Sequence, residues 1–120
     1  MKLSVVTTTY NSSGYIKVFI DRLKKTLDKE NLNYEIIIVD DGSKDDSVKK
    51  IKDIKLSIKN IILIELSRNF GHHPALICGL QHAKGEFIFM LDSDLEEEPE
   101  LYHQFKEELI KGDLDLVYGQ

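Results

Sequence analysis

Disulfide bonds are excluded first. The chain carries a single cysteine, Cys78, which has no internal partner. Its setting, "ALICGL", is that of a buried apolar thiol, and a reducing cytoplasmic environment is compatible with it. Long apolar runs are missing too. No stretch reaches the roughly 18 apolar residues of a membrane span, and Met1-Lys2 leads straight into a strand-like run rather than a secretory leader. There is no surplus of positive charge: 16 Lys and Arg stand against 21 Asp and Glu, a formal net charge of -5. That balance argues against a surface built to grip nucleic acid backbones. Low-complexity segments, linkers and internal repeats are absent as well. What is present is 120 residues with 42% hydrophobic content, enough for one domain with a genuine core.

The apolar residues fall into alternating short runs and helical periods. "LSVVT" (Leu3 to Thr7), "YEIIIV" (Tyr34 to Val39), "IILIEL" (Ile61 to Leu66), "FIFML" (Phe87 to Leu91) and "LDLVYG" (Leu114 to Gly119) read as strands, the first, second and fourth as buried ones. Between the first two, Ser13 is placed to cap a helix carrying Ile16, Phe19 or Ile20, Leu23 and Leu27. Ser43 and Asp46 have capping-box spacing ahead of Val48, Ile51 and Ile54. Pro74 suits the first turn of a third helix running toward Ala83, with Gly85 at its end. Pro99 opens a fourth, with Leu101, Phe105 and Leu109 on one face. Strands alternating with helices predict an α/β domain with a mostly parallel sheet and helices on both faces. In such sheets ligands bind beyond the carboxyl ends of the strands, where strand order reverses. With the order 3-2-1-4, "TTTYN", "DDGS" and "DSDLE" converge on one edge.

Those three clusters hold the chemistry. Asp92 and Asp94 follow a strand exit two residues apart, so in extended backbone they face one side. Two carboxylates about 4 Å apart repel by roughly 4 kcal/mol at an effective dielectric near 20. A metal, a proton, a cationic side chain or water must relieve this, and oxygen ligands of this kind suit Mg²⁺ or Mn²⁺ shared with a diphosphate. The plainer account, negative charge at a helix start, serves Glu97 and Glu98 but suits Asp92 poorly. Asp40 and Asp41 end a buried strand before Gly42; they can accept from a base or ribose, or simply make a turn. Tyr10 can stack on a base or cover the core edge. Arg68 can pair with phosphate or with the acidic cluster. The neighbouring His72 and His73 do not make a zinc site, because adjacent side chains diverge and no cysteine joins them. A solvated or locally hydrogen-bonded pair is the better account.

In combination and in order, "VVTTTYNS", "EIIIVDDGSKD", "LSRNFGHHPALICGL", "AKGEFIFMLDSDLEEEPE" and "DLVYG" resemble the nucleotide-binding half of a family 2 glycosyltransferase with the GT-A fold. "LSRNFGHHPAL" further resembles the branch that uses polyprenyl phosphates as acceptors, the dolichyl- and undecaprenyl-phosphate glycosyltransferases. The resemblance implies a Rossmann-like sheet. It implies a nucleotide-sugar donor, UDP- or GDP-linked, held by Thr8, Tyr10, Asp40, Asp41, Arg68 and Asp92. It implies a divalent cation, Mg²⁺ or Mn²⁺, on Asp92, Asp94 and Glu96. Glu96 stands where many polyprenyl-phosphate enzymes have Gln, which makes the site more negative. Thr8 replaces a frequent Pro, and "NSS" lacks the acidic residue that commonly follows Asn. Family members run well past a fifth strand, so residues 1–120 are expected to be the donor-binding part of a longer chain, acting at the cytoplasmic membrane face. The catalytic base is not assigned; Asp113 and Asp115 qualify by type alone. Uncovered apolar sheet surface would favour a homo-oligomer.

Two other readings compete. A flavodoxin-like phosphoacceptor module would need an Asp after its middle strand, and "LIELSRN" supplies none. A sugar-phosphate nucleotidyltransferase would need a glycine-rich basic loop after its first strand, and "TTTYNSS" is neither.

Overall fold

A computed structural model describes residues 2–29, 33–92 and 116–118. Eight elements alternate: β1 (Lys2–Thr9), α1 (Ile16–Lys29), β2 (Asn33–Asp40), α2 (Ser47–Lys55), β3 (Ile61–Glu65), α3 (His72–His82), β4 (Phe87–Asp92) and β5 (Leu116–Tyr118). The sheet order is β3-β2-β1-β4-β5 and every pairing is parallel. The expected α/β fold, and within it the order 3-2-1-4, is therefore the observed one. The helix expected to open at Pro99 lies outside the described residues.

Each strand's composition matches its place. β1 sits centrally and is buried at every residue from Leu3 to Thr9, as a strand covered on both faces must be. Its alternate residues feed two separate cores. Leu3 and Val5 join Ile36, Ile38 and Phe89 beneath α1 and α2, where Ile16, Phe19, Ile20, Leu23 and Leu27 are all 0% exposed. Val6 joins Ile37, Val39 and Met90 beneath Ala75 and Leu76 of α3. The two-residue period of the strands thus divides the helices between the faces.

Three local expectations are corrected. The first turn of α1 is closed by the Ser12 carbonyl, which accepts from the amides of Tyr15 and Ile16 at 3.0 and 2.9 Å; Ser13 instead donates its amide to Asp45 Oδ2 at 3.2 Å. The Ser43–Asp46 capping box does not form, and Asp46 makes no side-chain cap bond. Ser43 is already engaged: its hydroxyl donates to Asp40 Oδ1 at 2.6 Å and accepts the Asn11 amide at 2.8 Å. Asp45 takes over the start of α2, accepting from the Ser47 amide at 2.9 Å and from the Ser47 hydroxyl. Burial pushes the Asp45 carboxyl up, but these bonds and those from Ser13 outweigh it and hold the group below its usual range.

Gly85 does not terminate α3, which ends at His82 with Ala83 as its cap. Its role is close approach: a Cβ there would lie 2.6 Å from the Ser4 amide nitrogen. The Gly85 amide donates to Ser4 Oγ at 2.8 Å, and that hydroxyl donates to the buried Glu35 at 2.5 Å. Glu35 also accepts the Lys84 amide at 2.7 Å, so one carboxylate ties the α3–β4 turn to β1 and β2.

Gly79 lets α3 lie close on the sheet. A Cβ there would sit 2.5 Å from Val6 Cγ1 and 3.1 Å from Val39 Cγ2. Val6 is fully buried and stiff at χ1, so it cannot turn aside. Gly79→Ala gains about 1 kcal/mol of helix propensity against roughly 1–3 kcal/mol of overpacking. The expected result is a net loss of about 1 kcal/mol, read by denaturant unfolding; a more stable variant would show that α3 can lift away without cost.

Candidate nucleotide-binding cleft

The parallel register brings the strand ends level. Thr8 pairs with Val39 and with Asp92, Thr9 with Asp40, and Asp40 with Glu65. The carboxyl ends of β1, β2, β3 and β4 thus form one rim, from which "TTTYN" and "DDGS" emerge together.

The loops on this rim are pinned to one another. Asn11 adopts a left-handed backbone, φ 50°, that asparagine tolerates. Its side-chain oxygen accepts the Lys44 amide at 2.9 Å. Asp40 is buried, and both its oxygens are engaged by Ser43, the amide at 2.9 Å and the hydroxyl at 2.6 Å. Asp41, only 5% exposed, reaches across to the β3–α3 loop. Its Oδ1 accepts the Phe70 amide at 2.8 Å and its Oδ2 the Gly71 amide at 3.1 Å. Gly42, at φ 78°, nests against the same loop.

Between these loops lies a cleft of about 450 Å³, lined among others by Tyr10, Asp40, Ser43, Lys44, Arg68 and Asn69. Tyr10 is 41% exposed, so its ring is available to a ligand face. Arg68 is exposed and lies over the Phe70 ring at 4.6 Å, a cation–π contact that holds the guanidinium at the mouth. On the other side of β1, the Thr8 hydroxyl meets His72 Nδ1 at 3.0 Å.

The structure therefore brings Tyr10, Asp40 and Arg68 together in the cleft wall; Asp41 and Thr8 share the rim but do not line the cleft, and the backbone of Asp92 is level with Thr8. Asp94 and Glu96 lie outside the described residues. Among the described residues, no group of three or more His, Cys, Asp or Glu is poised for a metal. A carboxylate-bearing residue at a strand exit, beside a threonine hydroxyl, is the donor chemistry of a hard cation such as Mg²⁺ or Mn²⁺. Sequence reasoning missed the bond between His72 and Thr8; its one signal was the place of His72 two residues before Pro74, at the start of a helix.

Residues 4–120 match the family described as Glycosyl transferase family 2. The chain belongs to that family. Among its relatives, this family 2 chain is 45% identical over 119 residues to a Mycobacterium tuberculosis (strain CDC 1551 / Oshkosh) protein whose name places it among glycosyltransferases, covering 99% of this chain and 35% of the relative. It is 33% identical over 111 residues to an undecaprenyl-phosphate 4-deoxy-4-formamido-L-arabinose transferase of Aeromonas hydrophila, covering 92% of this chain and 34% of that protein. Among solved structures it resembles S. aureus TarS 1-349 in complex with UDP-GlcNAc, with a TM-score of 0.72, 27% identity, and coverage of 93% and 32% of the two chains. It also resembles the mannosyltransferase PcManGT of Pyrobaculum calidifontis in complex with GDP-Man and Mn²⁺, with a TM-score of 0.68, 26% identity, and coverage of 77% and 27%. The chain spans about a third of the length of the curated relatives it matches. Its fold is the Rossmann-like half of a GT-A glycosyltransferase. Among the described residues, no helix is long and apolar enough to cross a membrane.

Proposed function

We propose that this family 2 chain is the donor-binding half of an inverting, metal-dependent glycosyltransferase that moves a sugar from a nucleotide to a lipid phosphate at the cytoplasmic membrane face. The observation that carries this reading is a cleft of about 450 Å³ lined by Tyr10, Asp40 and Arg68, on the rim that also holds Thr8, Asp41 and the end of β4. Tyr10 stacks on the base. Asp40 and Asp41 shape the base and ribose subsite: each carboxylate oxygen has a second lone pair beyond the amide or hydroxyl it already accepts. Arg68 pairs with phosphate. Asp92, Asp94 and Glu96 hold a divalent cation, which when bound neutralises charge on the leaving nucleoside diphosphate. The acceptor oxygen forms a bond to the anomeric carbon as the bond from that carbon to the diphosphate oxygen breaks. The donors named for TarS and PcManGT support a UDP- or GDP-linked sugar, and the Aeromonas relative's name supports a polyprenyl-phosphate acceptor.

Calorimetric titration with UDP and with GDP, in Mn²⁺ and in EDTA, tests the reading. Binding is expected in Mn²⁺ and lost in EDTA. Asp94→Ala is expected to weaken it about tenfold, roughly 1.4 kcal/mol, with the fold intact, and Glu98→Ala to leave it unchanged. Equal binding in EDTA, or an Asp94→Ala variant that binds like the parent, would reduce the acidic run to a helix start.

A further inference from the structure

We infer that Glu65 sets the base of the donor: the cleft selects uracil, whose N3–H is donated to the Glu65 carboxylate. The inference rests on the reading of the cleft as the nucleotide site. It adds a residue which that reading does not include, and it chooses between the two bases which that reading leaves open.

Glu65 is the last residue of β3, in register with Asp40 at the end of β2. The Leu66 amide donates to the Asp40 carbonyl at 2.9 Å, so the strand exit that carries Glu65 is held to the rim. Among the described residues, Asp40 and Glu65 are the carboxylates that line the cleft. Asp40 is buried, and Ser43 engages both its oxygens. The Glu65 side chain is 49% exposed. It is therefore the more accessible acceptor for a ligand in this cleft.

Its surroundings decide what it can accept. Lys52 Nζ lies 3.3 Å from Oε2, which leaves Oε1 for a base. Lys44 and Arg68 line the same cleft. Lysine and arginine side chains have donors and no acceptors. A base N–H bonded to Oε1 thus has donor-only cations for neighbours, and the atoms that flank the N–H must accept. Uracil has this pattern, with N3–H between O2 and O4. Guanine does not: its N1–H has O6 on one side, but the amino group on the other would meet a cation. Cytosine and adenine carry no ring N–H on that edge. A cleft of about 450 Å³ admits a base of either size, so hydrogen bonding makes the choice. The plainer account of Glu65 is an exposed ion pair with Lys52, which adds little to stability and would not tell one base from another.

Calorimetric titration of the full chain with UDP, GDP and N3-methyl-UDP, all in Mn²⁺, tests this, with thermal unfolding as the check of fold. The methylated probe differs from UDP in having a methyl group where the N3 proton was. The parent is expected to bind UDP about tenfold more tightly than either of the other two, the worth of about one hydrogen bond to a charged group. Glu65→Ala is expected to lose about tenfold for UDP and to leave the other two affinities unchanged. If alanine unfolds the chain, the comparison of UDP with N3-methyl-UDP on the parent decides alone. GDP or N3-methyl-UDP bound by the parent as tightly as UDP, or a parallel loss of all three ligands in a folded Glu65→Ala, would each overturn the inference while leaving the nucleotide site standing. Failure of the parent to bind any of the three would overturn the site itself, and this inference with it.

Discussion

Gly42→Ala is expected to destabilise the chain by about 3 kcal/mol, the sum of a left-handed backbone that alanine resists, roughly 1–2 kcal/mol, and an overpacked contact of similar size. The residue sits at φ 78°, and a Cβ would fall 2.4 Å from the carbonyl carbon of Arg68 and 2.6 Å from the Asn69 amide nitrogen. Both obstacles are backbone, so neither can swing aside as a side-chain tip would. The β3–α3 loop must move instead, and with it Arg68 and the cleft wall. Thermal unfolding should fall by roughly 10 °C or more, and UDP or GDP affinity should fall alongside it. Gly14→Ala is the matched control, because nothing lies within 4 Å of a Cβ there. Equal melting of the two variants would show that the loop contact contributes nothing.

Asp41→Ala is expected to cost roughly 3–6 kcal/mol, at 1.5–3 kcal/mol for each of two hydrogen bonds made to a charged group. It removes the acceptors of both the Phe70 and Gly71 amides from a site that is 5% exposed. Asp41→Asn should fall between parent and alanine, since only one of its two terminal atoms accepts while the other opposes an amide donor. Denaturant unfolding and nucleotide titration, run on the same three proteins, separate two roles. Stability and affinity are expected to fall together, because the carboxylate proposed to face the base also ties down the loop. An Asp41→Ala chain as stable as the parent but unable to bind nucleotide would mean that the residue serves the ligand alone.

Much of this was legible in the sequence, because it is encoded locally. β-Branched runs such as "IIIV" and the 3.6-residue recurrence of Ile16, Phe19, Leu23 and Leu27 carry their own period. Strand alternation then limits the topology to few choices. The rim followed from the topology; the roles of Thr8, Tyr10, Asp40, Asp41 and Arg68 came from residue type and from the family resemblance, and they stand as proposals. What was not legible depends on contacts between distant residues. The capping box at Ser43 failed because Asp40 and Asn11 had already engaged that hydroxyl. Gly85 looked like a helix end but answers to Ser4, 81 residues away in sequence. Asp41 read as a ligand contact or a turn, and its bonds to Phe70 and Gly71, 29 and 30 residues on, had no local signature. His72 was set aside by a sound argument against zinc, an argument that did not bear on a single hydrogen bond to Thr8.

The strand order has a further consequence, for the order in which the chain assembles itself. β1 has β2 on one side and β4 on the other, yet these neighbours arrive at different times. Ser4 is 31 residues from Glu35 on the β2 side and 81 from Gly85 at the entrance to β4. Closing the longer loop costs only about 0.8 kcal/mol more chain entropy, so the delay is one of synthesis rather than of energy. As the chain leaves the ribosome, β1, α1 and β2 can pair first, and the turn bearing Asp40 and Asp41 is set with them. The edge of β1 that awaits β4 stays open, a row of unpaired amides and carbonyls, until about fifty further residues have emerged, the difference between the two separations. The half of the rim built on β2 is thus old by the time the half ending in Asp92 closes against it. During that interval β1, which the finished sheet buries from Leu3 to Thr9, is the strand a chaperone would have most reason to hold.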